Sequence, residues 1–428
     1  MRHTPIHPEL FVENRRRLTR LLHRQSLAVV NANDVLPTNA DGTLLMQPNS
    51  DLFYLTGVEQ EESILVLAPD AFDEKQREML FLRQPNEHLK TWEGHKLSQE
   101  EARRVSGIQQ VRWLSEFPAE FHKLMCEVEH VYLNSNEHKR AVIEVETRDA
   151  RFIRQVQGRY PLHQYHRLAR LLHRLRVAKA EPEVEAIRQA CAITGHGFRR
   201  LLRFVRPGVN ECEVEAELAH EFLRRRGRFA YNPILAAGAN SCVLHYNQND
   251  QECRAGDVLL VDAAAAYANY NSDLTRTLPV SGRFTRRQKQ VYQAVLRTLR
   301  AMIRAATPGT MHRDWQKQAE ALLTEECLEL GLLKHAQVRK QNPDQPAVKK
   351  YFMHGLGHVI GLDVHDVGFM NEPFAPGWVL TVEPGLYLPE EGFGIRLENT
   401  VLVTADGPVD LMADVPLDAD EIESLMNR

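Results

Sequence analysis

The stretch Met353-His-Gly-Leu-Gly-His-Val-Ile-Gly-Leu-Asp-Val-His-Asp-Val-Gly368 concentrates three histidines, His354, His358 and His365, among glycines and short apolar residues. A lone histidine in such company is ordinarily a satisfied core residue, whereas three raise a metal reading. Gly355, Gly357 and Gly361 would each cost a helix about 1 kcal/mol, so the stretch predicts backbone passing close to something else. Four carboxylates elsewhere sharpen the reading. Val258-Leu-Leu-Val-Asp262 is an apolar strand ending on Asp262, and Asn271-Ser-Asp-Leu-Thr-Arg-Thr277 opens another with Asp273. A turn at Tyr267-Ala268 would set Asp262 and Asp273 opposite each other on a hairpin, with Cβ atoms about 4.5–5.5 Å apart. Each aspartate alone reads equally well as a turn or cap residue. Two carboxylates that close repel unless a cation or proton lies between them.

Val379-Leu-Thr-Val-Glu-Pro-Gly-Leu-Tyr387 repeats the device, an apolar strand followed by Glu383 against a Pro-Gly break. In Gly394-Ile-Arg-Leu-Glu-Asn-Thr-Val-Leu-Val403 the two-residue period puts Arg396 and Glu398 on one face and Ile395 and Leu397 on the other. A surface Arg–Glu pair is the plain reading, yet the apolar surroundings make an unpaired charge costly. Asp262, Asp273, His358, Glu383 and Glu398 together form a hard, oxygen-rich donor set suited to Mn²⁺ or a similar ion. Four carboxylates balance two dications, whereas one dication would leave the buried cluster at −2. Two ions about 3.5–4 Å apart activate a shared hydroxide near neutral pH. The sequence has no H-E-x-x-H, G-x-S-x-G, phosphate-loop or dinucleotide fingerprint.

The elements that must position these groups fall into two parts. At 428 residues two domains are expected, and 43% hydrophobic with 26% charged residues is the composition of a soluble globular protein. A net charge of −4 argues against nucleic acid or an anionic membrane as the main partner. No apolar run is long enough to span a bilayer, and the N-terminus lacks the apolar core of a signal peptide. Six scattered cysteines read as free thiols of a reducing cytoplasm. Residues 1–175 predict a small α/β domain: helix 14–23, strands at 26–31, 52–56, 63–68 and 79–82, helices 98–105 and 116–128, and a basic connector helix over 147–176. Residues 176–428 predict helices 183–205 and 210–227, the latter opened by an Asn210/Glu213 capping box, and a second pair at 286–306 and 313–331. Aligning Pro207-Gly208 with Pro308-Gly309 superposes Val214 on Trp315 and Phe222 on Leu323, and strand-rich sequence follows each pair. This echo predicts a pseudo-two-fold domain with a central site.

The Met353 to Asp366 stretch resembles the signature of the proline-specific metallopeptidases, the aminopeptidase P and prolidase family. So do Val261-Asp262 with Ser272-Asp-Leu-Thr-Arg-Thr277, Val382-Glu-Pro-Gly-Leu-Tyr387 and Gly394-Ile-Arg-Leu-Glu398. The resemblance runs in order from about 180 to 405, and Gln47-Pro-Asn-Ser-Asp-Leu-Phe-Tyr-Leu-Thr-Gly57 looks like the family's N-terminal domain. It implies an α/β (α+β) chain: a creatinase-like α/β domain (1–175), then a pita-bread metallopeptidase domain (176–428). It also implies two divalent ions, usually Mn²⁺ and sometimes Co²⁺ or Zn²⁺. By position Asp262 would hold one ion, Asp273 and Glu398 would bridge both, and His358 and Glu383 would hold the other. His245 matches a histidine that stabilises the tetrahedral intermediate, His365 one that contacts the substrate carbonyl or shuttles protons, and His354 one lining the pocket. Arg396 matches a site arginine near Tyr387. Where many relatives carry glycines, this chain has Ala263-Ala-Ala-Ala-Tyr-Ala-Asn-Tyr270, in which Asn269 tolerates positive φ.

The implied activity is Xaa-Pro aminopeptidase action on peptides with proline second, by hydroxide attack with Glu383 taking the proton and the prolyl nitrogen protonated as it leaves. Dipeptidase (prolidase) action is the alternative, and a metal-free pita-bread module binding peptides or proteins is another. The 335–350 loop, with Pro343 and Pro346, would shape the path for the chain beyond proline. A homodimer or homotetramer in the cytoplasm completes the expectation.

Overall fold

In the computed structural model, which describes residues 3–428, the short apolar runs of the N-terminal half become strands of one six-stranded mixed sheet. They are β1 (Ser26–Asn31), β2 (Ile64–Leu67), β3 (Glu78–Leu82), β4 (Gln110–Trp113), β5 (His130–Leu133) and β6 (Gln164–Arg167), in the order β4-β3-β2-β1-β5-β6. The β1–β2 and β2–β3 pairs are antiparallel, the other three parallel. One face buries Leu27, Val29, Val66, Phe81, Val131 and Leu133 beneath Phe121, Leu124 and Val156. The helices are α1 (Glu9–Thr19), α2 (Ser50–Thr56), α3 (Glu87–Trp92), α4 (Gln99–Ser106), α5 (Phe117–Met125), α6 (Arg148–Arg159) and α7 (Ala169–Arg176). This unit extends over Pro5–Arg176.

Three segments differ from expectation. The run 52–56 is the helix α2, not a strand: Asn49 caps it by accepting from the amides of Asp51 and Leu52, and Gly57 ends it at φ 68°. The basic segment 147–176 is not one helix. It stops at Tyr160, ahead of Pro161, and the edge strand β6 intervenes before α7. The first helix starts earlier than its basic residues suggested, behind Pro8.

The second unit is Val177–Arg428, together with His3 and Thr4. Helix α8 (Glu181–Phe204) starts at Pro182 and packs on α9 (Glu211–Arg224), which opens with the Asn210/Glu213 capping box. Strands β7 (Arg228–Phe229), β8 (Ile234–Ala237), β9 (Val258–Asp262), β10 (Ala265–Tyr267), β11 (Tyr270–Asn271) and β12 (Thr275–Pro279) follow. Helices α10 (Arg286–Ala305) and α11 (His312–Glu329) pack as the second pair. A one-turn helix, His335–Arg339, interrupts the 335–350 loop. The remaining strands are β13 (Val379–Val382), β14 (Gly385–Leu388), β15 (Phe393–Arg396), β16 (Asn399–Thr404) and β17 (Gly407–Asp410). They form the sheets β12-β9-β8, β11-β10-β7, β13-β16-β17 and β14-β15.

The echo read in the sequence is structural. Gly208 and Gly309 both sit at φ 89°, and each donates its amide at 2.9 Å to the carbonyl of a residue further along the chain, Cys253 and Phe374 respectively. Val214, Trp315, Phe222 and Leu323 are all fully buried. Asp262 ends β9 and Glu383 directly follows β13, with the same spacing in sequence as Cys253 and Phe374.

The hairpin register differs from expectation by two residues. The turn falls at Ala268-Asn269, both at positive φ (49° and 66°) as a two-residue hairpin loop demands, so Asp262 faces Thr275 and not Asp273. A two-residue slip keeps every side chain on its face. The two aspartates therefore still converge, diagonally.

Candidate metal centre

Asp262 ends β9 after four buried apolar residues, and Asp273 lies in the interruption between β11 and β12. Where the ladder breaks, Thr400 takes its place: the Asp273 amide donates to Thr400 Oγ1 (3.1 Å), which donates to the Asp273 carbonyl (2.9 Å). The Tyr231 hydroxyl reaches both carboxylates, 2.6 Å from Asp262 Oδ1 and 2.5 Å from Asp273 Oδ1. Glu398 lies between β15 and β16; its amide donates to the Thr275 carbonyl (3.0 Å), and its Oε2 accepts from Thr275 Oγ1 (2.6 Å). Buried Arg276 holds the carbonyls of Thr275 and Glu398 at 3.0 and 2.7 Å.

His358 arrives from the glycine-rich stretch. Residues 356–360 run antiparallel beside β13: Glu383 N to Leu356 O (2.8 Å), Thr381 N to His358 O (2.8 Å), Ile360 N to Val379 O (3.0 Å). The His358 amide also donates to Thr381 Oγ1 (2.9 Å). Gly357 is required by this approach, because a Cβ there would lie 2.0 Å from the Thr381 carbonyl oxygen. His358 Nδ1 donates to the Val359 carbonyl (3.1 Å), which turns Nε2 toward Asp273 Oδ2 (3.5 Å) and Glu383 Oε1 (3.7 Å). Asp273, His358 and Glu398 each offer a donor atom within 4.8 Å of the others.

The five expected ligands thus meet at one place. Arg396 and Glu398 are no surface pair: both are buried, and the guanidinium holds Asp262 Oδ2 (2.7 Å) and the Tyr387 hydroxyl (2.8 Å). Tyr387 in turn donates to His354 Nε2 (2.8 Å), while His354 Nδ1 donates to the Gly355 carbonyl (2.8 Å). The His365 ring stands perpendicular to that of His358, centres 4.4 Å apart. His245 is exposed on the segment after Gly238–Cys242, near enough to His354 to disfavour its charged form.

The electrostatics are those of carboxylates crowded together in a buried pocket. Burial raises Asp262, against the pull of Arg396 and with the push of Asp273. Burial, with Asp273 and Glu383 beside it, holds Glu398 well above the carboxylate range, and burial lifts Glu383 to about 7. Burial opposes charge on His358, but its hydrogen bond to Asp273 and the nearby Glu383 raise it on balance. Burial and Arg396 depress His354 to about 3, so it is neutral. These carboxylates and one imidazole nitrogen fit hard divalent cations, which would relieve the repulsion.

Tyr231, Thr400 and Thr381 were not read from the sequence. Thr275 was within reach of it, since it shares a face with Asp273 by the two-residue period. A lone tyrosine ahead of Asn232-Pro233 carries no such signal.

A profile of Metallopeptidase family M24 matches residues 185–405, and one of the Aminopeptidase P N-terminal domain matches residues 11–132. The chain is 33% identical to an Escherichia coli protein named Xaa-Pro aminopeptidase, over 97% of each. It is 30% identical to the human Xaa-Pro aminopeptidase 3, over 94% of this chain and 80% of that protein. Zinc-substituted E. coli aminopeptidase P in complex with product superposes with a TM-score of 0.88 at 32% identity, over 99% of both chains.

Proposed function

The chain belongs to metallopeptidase family M24, and from that premise we propose how its buried centre acts: the protein is an Xaa-Pro aminopeptidase, a hydrolase that releases the N-terminal residue of peptides with proline second. The observation that carries this is the convergence of four carboxylates and His358 Nε2 on one buried point. Asp262 would hold one ion, His358 and Glu383 the other, and Asp273 with Glu398 both. When bound there, divalent ions supply a Lewis acid for the scissile carbonyl and a water that ionises near neutral pH.

This chain's own residues supply the rest. Glu383 has a carboxylate oxygen beyond the one facing His358, which suits it to take the proton of the attacking water. Arg396 fixes Asp262 and, through Tyr387, presents neutral His354 in one tautomer. His365 beside His358 meets the substrate carbonyl, and exposed His245 donates to the oxyanion as it develops. An Xaa-Pro bond has no N–H, so recognition does not depend on that donor and the prolyl nitrogen must gain a proton as it leaves. Every group of the centre lies in the second unit, to which we assign the chemistry, leaving a supporting role to the first.

We propose further that two Mn²⁺ ions are used, since the donor set is oxygen-rich. Six free thiols suit a cytoplasmic enzyme. The homodimer or homotetramer rests on the resemblance and is checked by light scattering. Hydrolysis of Xaa-Pro-Yaa beside Xaa-Pro tests the activity: release of Xaa from the tripeptide supports it, whereas cleavage of the dipeptide alone reassigns the protein as a dipeptidase.

A further inference from the structure

Three histidines of the first unit, unconnected with the chemistry above, meet on the sheet face opposite its apolar cluster. Val131 and Leu133 of β5 and Tyr165 of β6 pack into that cluster, so their alternates, His130 and His166, point the other way. The parallel register pairs His130 with Gln164 and Tyr132 with His166, which sets the two histidines on neighbouring strands, one of them the sheet edge. His23 comes from the connection between α1 and β1, its amide donating to the Tyr132 hydroxyl (3.3 Å). Its side chain is exposed, and those of His130 and His166 are half-buried.

The three ring centres form a nearly equilateral triangle: 4.9 Å from His23 to His130, and 5.0 Å for each of the other two sides. His130 Nδ1 and His166 Nε2 are already 3.0 Å apart. Three imidazoles on one tetrahedral zinc ion, each bound at about 2.0–2.1 Å, would place their ring centres about 5 Å apart and their donor nitrogens about 3.3 Å apart. His166 is held below the ordinary histidine value by burial and by His130 and His23, which favours the neutral form that binds metal.

We propose that His23, His130 and His166 form a second cation site, separate from the carboxylate centre, that takes Zn²⁺. All three ligands are imidazoles and the fourth position is open to water. On binding, the proton shared by His130 Nδ1 and His166 Nε2 moves to the far nitrogen of its own ring, and His23 swings its donor inward. No proton is released and no electron is transferred. The ion ties the α1–β1 connection to edge strand β6, a staple for a strand of four residues. Its all-imidazole donor set separates it from the oxygen-rich centre, which suits Mn²⁺.

Zinc counting tests this. The full chain, saturated with Mn²⁺, is equilibrated with Zn²⁺ and desalted, and its zinc is measured by elemental analysis for wild type, His23→Ala and His166→Gln. Wild type is expected to hold one zinc more per chain than either variant, and all three to cleave peptide equally before zinc is added. His23→Ala decides the matter, because an exposed side chain can be removed without unfolding, which circular dichroism verifies. Equal zinc counts in wild type and a folded His23→Ala variant overturn the proposal and leave the trio as packing.

Discussion

Replacing Gly357 by alanine would insert a methyl 2.0 Å from the Thr381 carbonyl oxygen and 2.8 Å from its carbon, both backbone atoms that cannot rotate away. Ordinary contact needs roughly 3.2–3.5 Å, so residues 356–360 and β13 must separate by about 1 Å or more. Three backbone hydrogen bonds and the His358 N to Thr381 Oγ1 bond join those segments. At about 0.5–1.5 kcal/mol each, losing two of them costs about 1–3 kcal/mol, the range seen when tight interiors are overpacked. The separation also pulls His358 away from Glu383, and a misplacement of about 1 Å is worth about 10²-fold in rate. Gly355 is the control, since a Cβ there meets nothing within 4 Å. Thermal midpoints and kcat/KM on an Xaa-Pro-Yaa tripeptide should rank Gly355→Ala with wild type and Gly357→Ala far below. A fully active, fully stable Gly357→Ala protein refutes the reasoning, and so does equal damage in both variants.

Other perturbations follow from the same geometry. Tyr231→Phe removes the hydroxyl shared by Asp262 and Asp273 and should weaken metal affinity about 10–100-fold, read with a competing chelator. Lys179→Met leaves Asp366 buried without its ammonium partner at 3.1 Å, and should cost about 3–5 kcal/mol in chemical denaturation. Burial lifts half-buried Asp149 from 3.8 to about 6. A raised folded value stabilises below the unfolded value and is lost as pH climbs through the folded one. Asp149→Asn should therefore gain on the order of 1–2 kcal/mol over wild type at pH 7–8, and the gain should vanish below pH 4 in stability–pH profiles.

The ligand-bearing strands were legible because an apolar run ending on a carboxylate before a break is hard to explain otherwise: Val258 to Asp262 and Val379 to Glu383 both formed as read. The capping box at Asn210 likewise marked a true helix start. The run at 52–56 misled because four apolar residues and a threonine are too few to show a period, and the signals that decide it, Asn49 and Gly57, sit at its ends. The hairpin slipped by two because its turn puts Ala268 at positive φ, a conformation alanine seldom adopts and composition cannot announce. Tyr231 escaped notice because its role depends on where two diagonal aspartates point, which is a property of tertiary structure alone.

The most direct test of the central claim is to measure bound divalent metal and peptide hydrolysis together, in wild type and in Asp273→Asn. Wild type should bind two ions per chain and release the N-terminal residue from Xaa-Pro-Yaa, lose this on chelation and regain it with Mn²⁺. Asp273→Asn, which halves the charge of the pair bridged by Tyr231, should bind less metal and lose at least about 10²-fold in turnover. An Asp273→Asn protein with wild-type metal content and wild-type turnover would contradict the account.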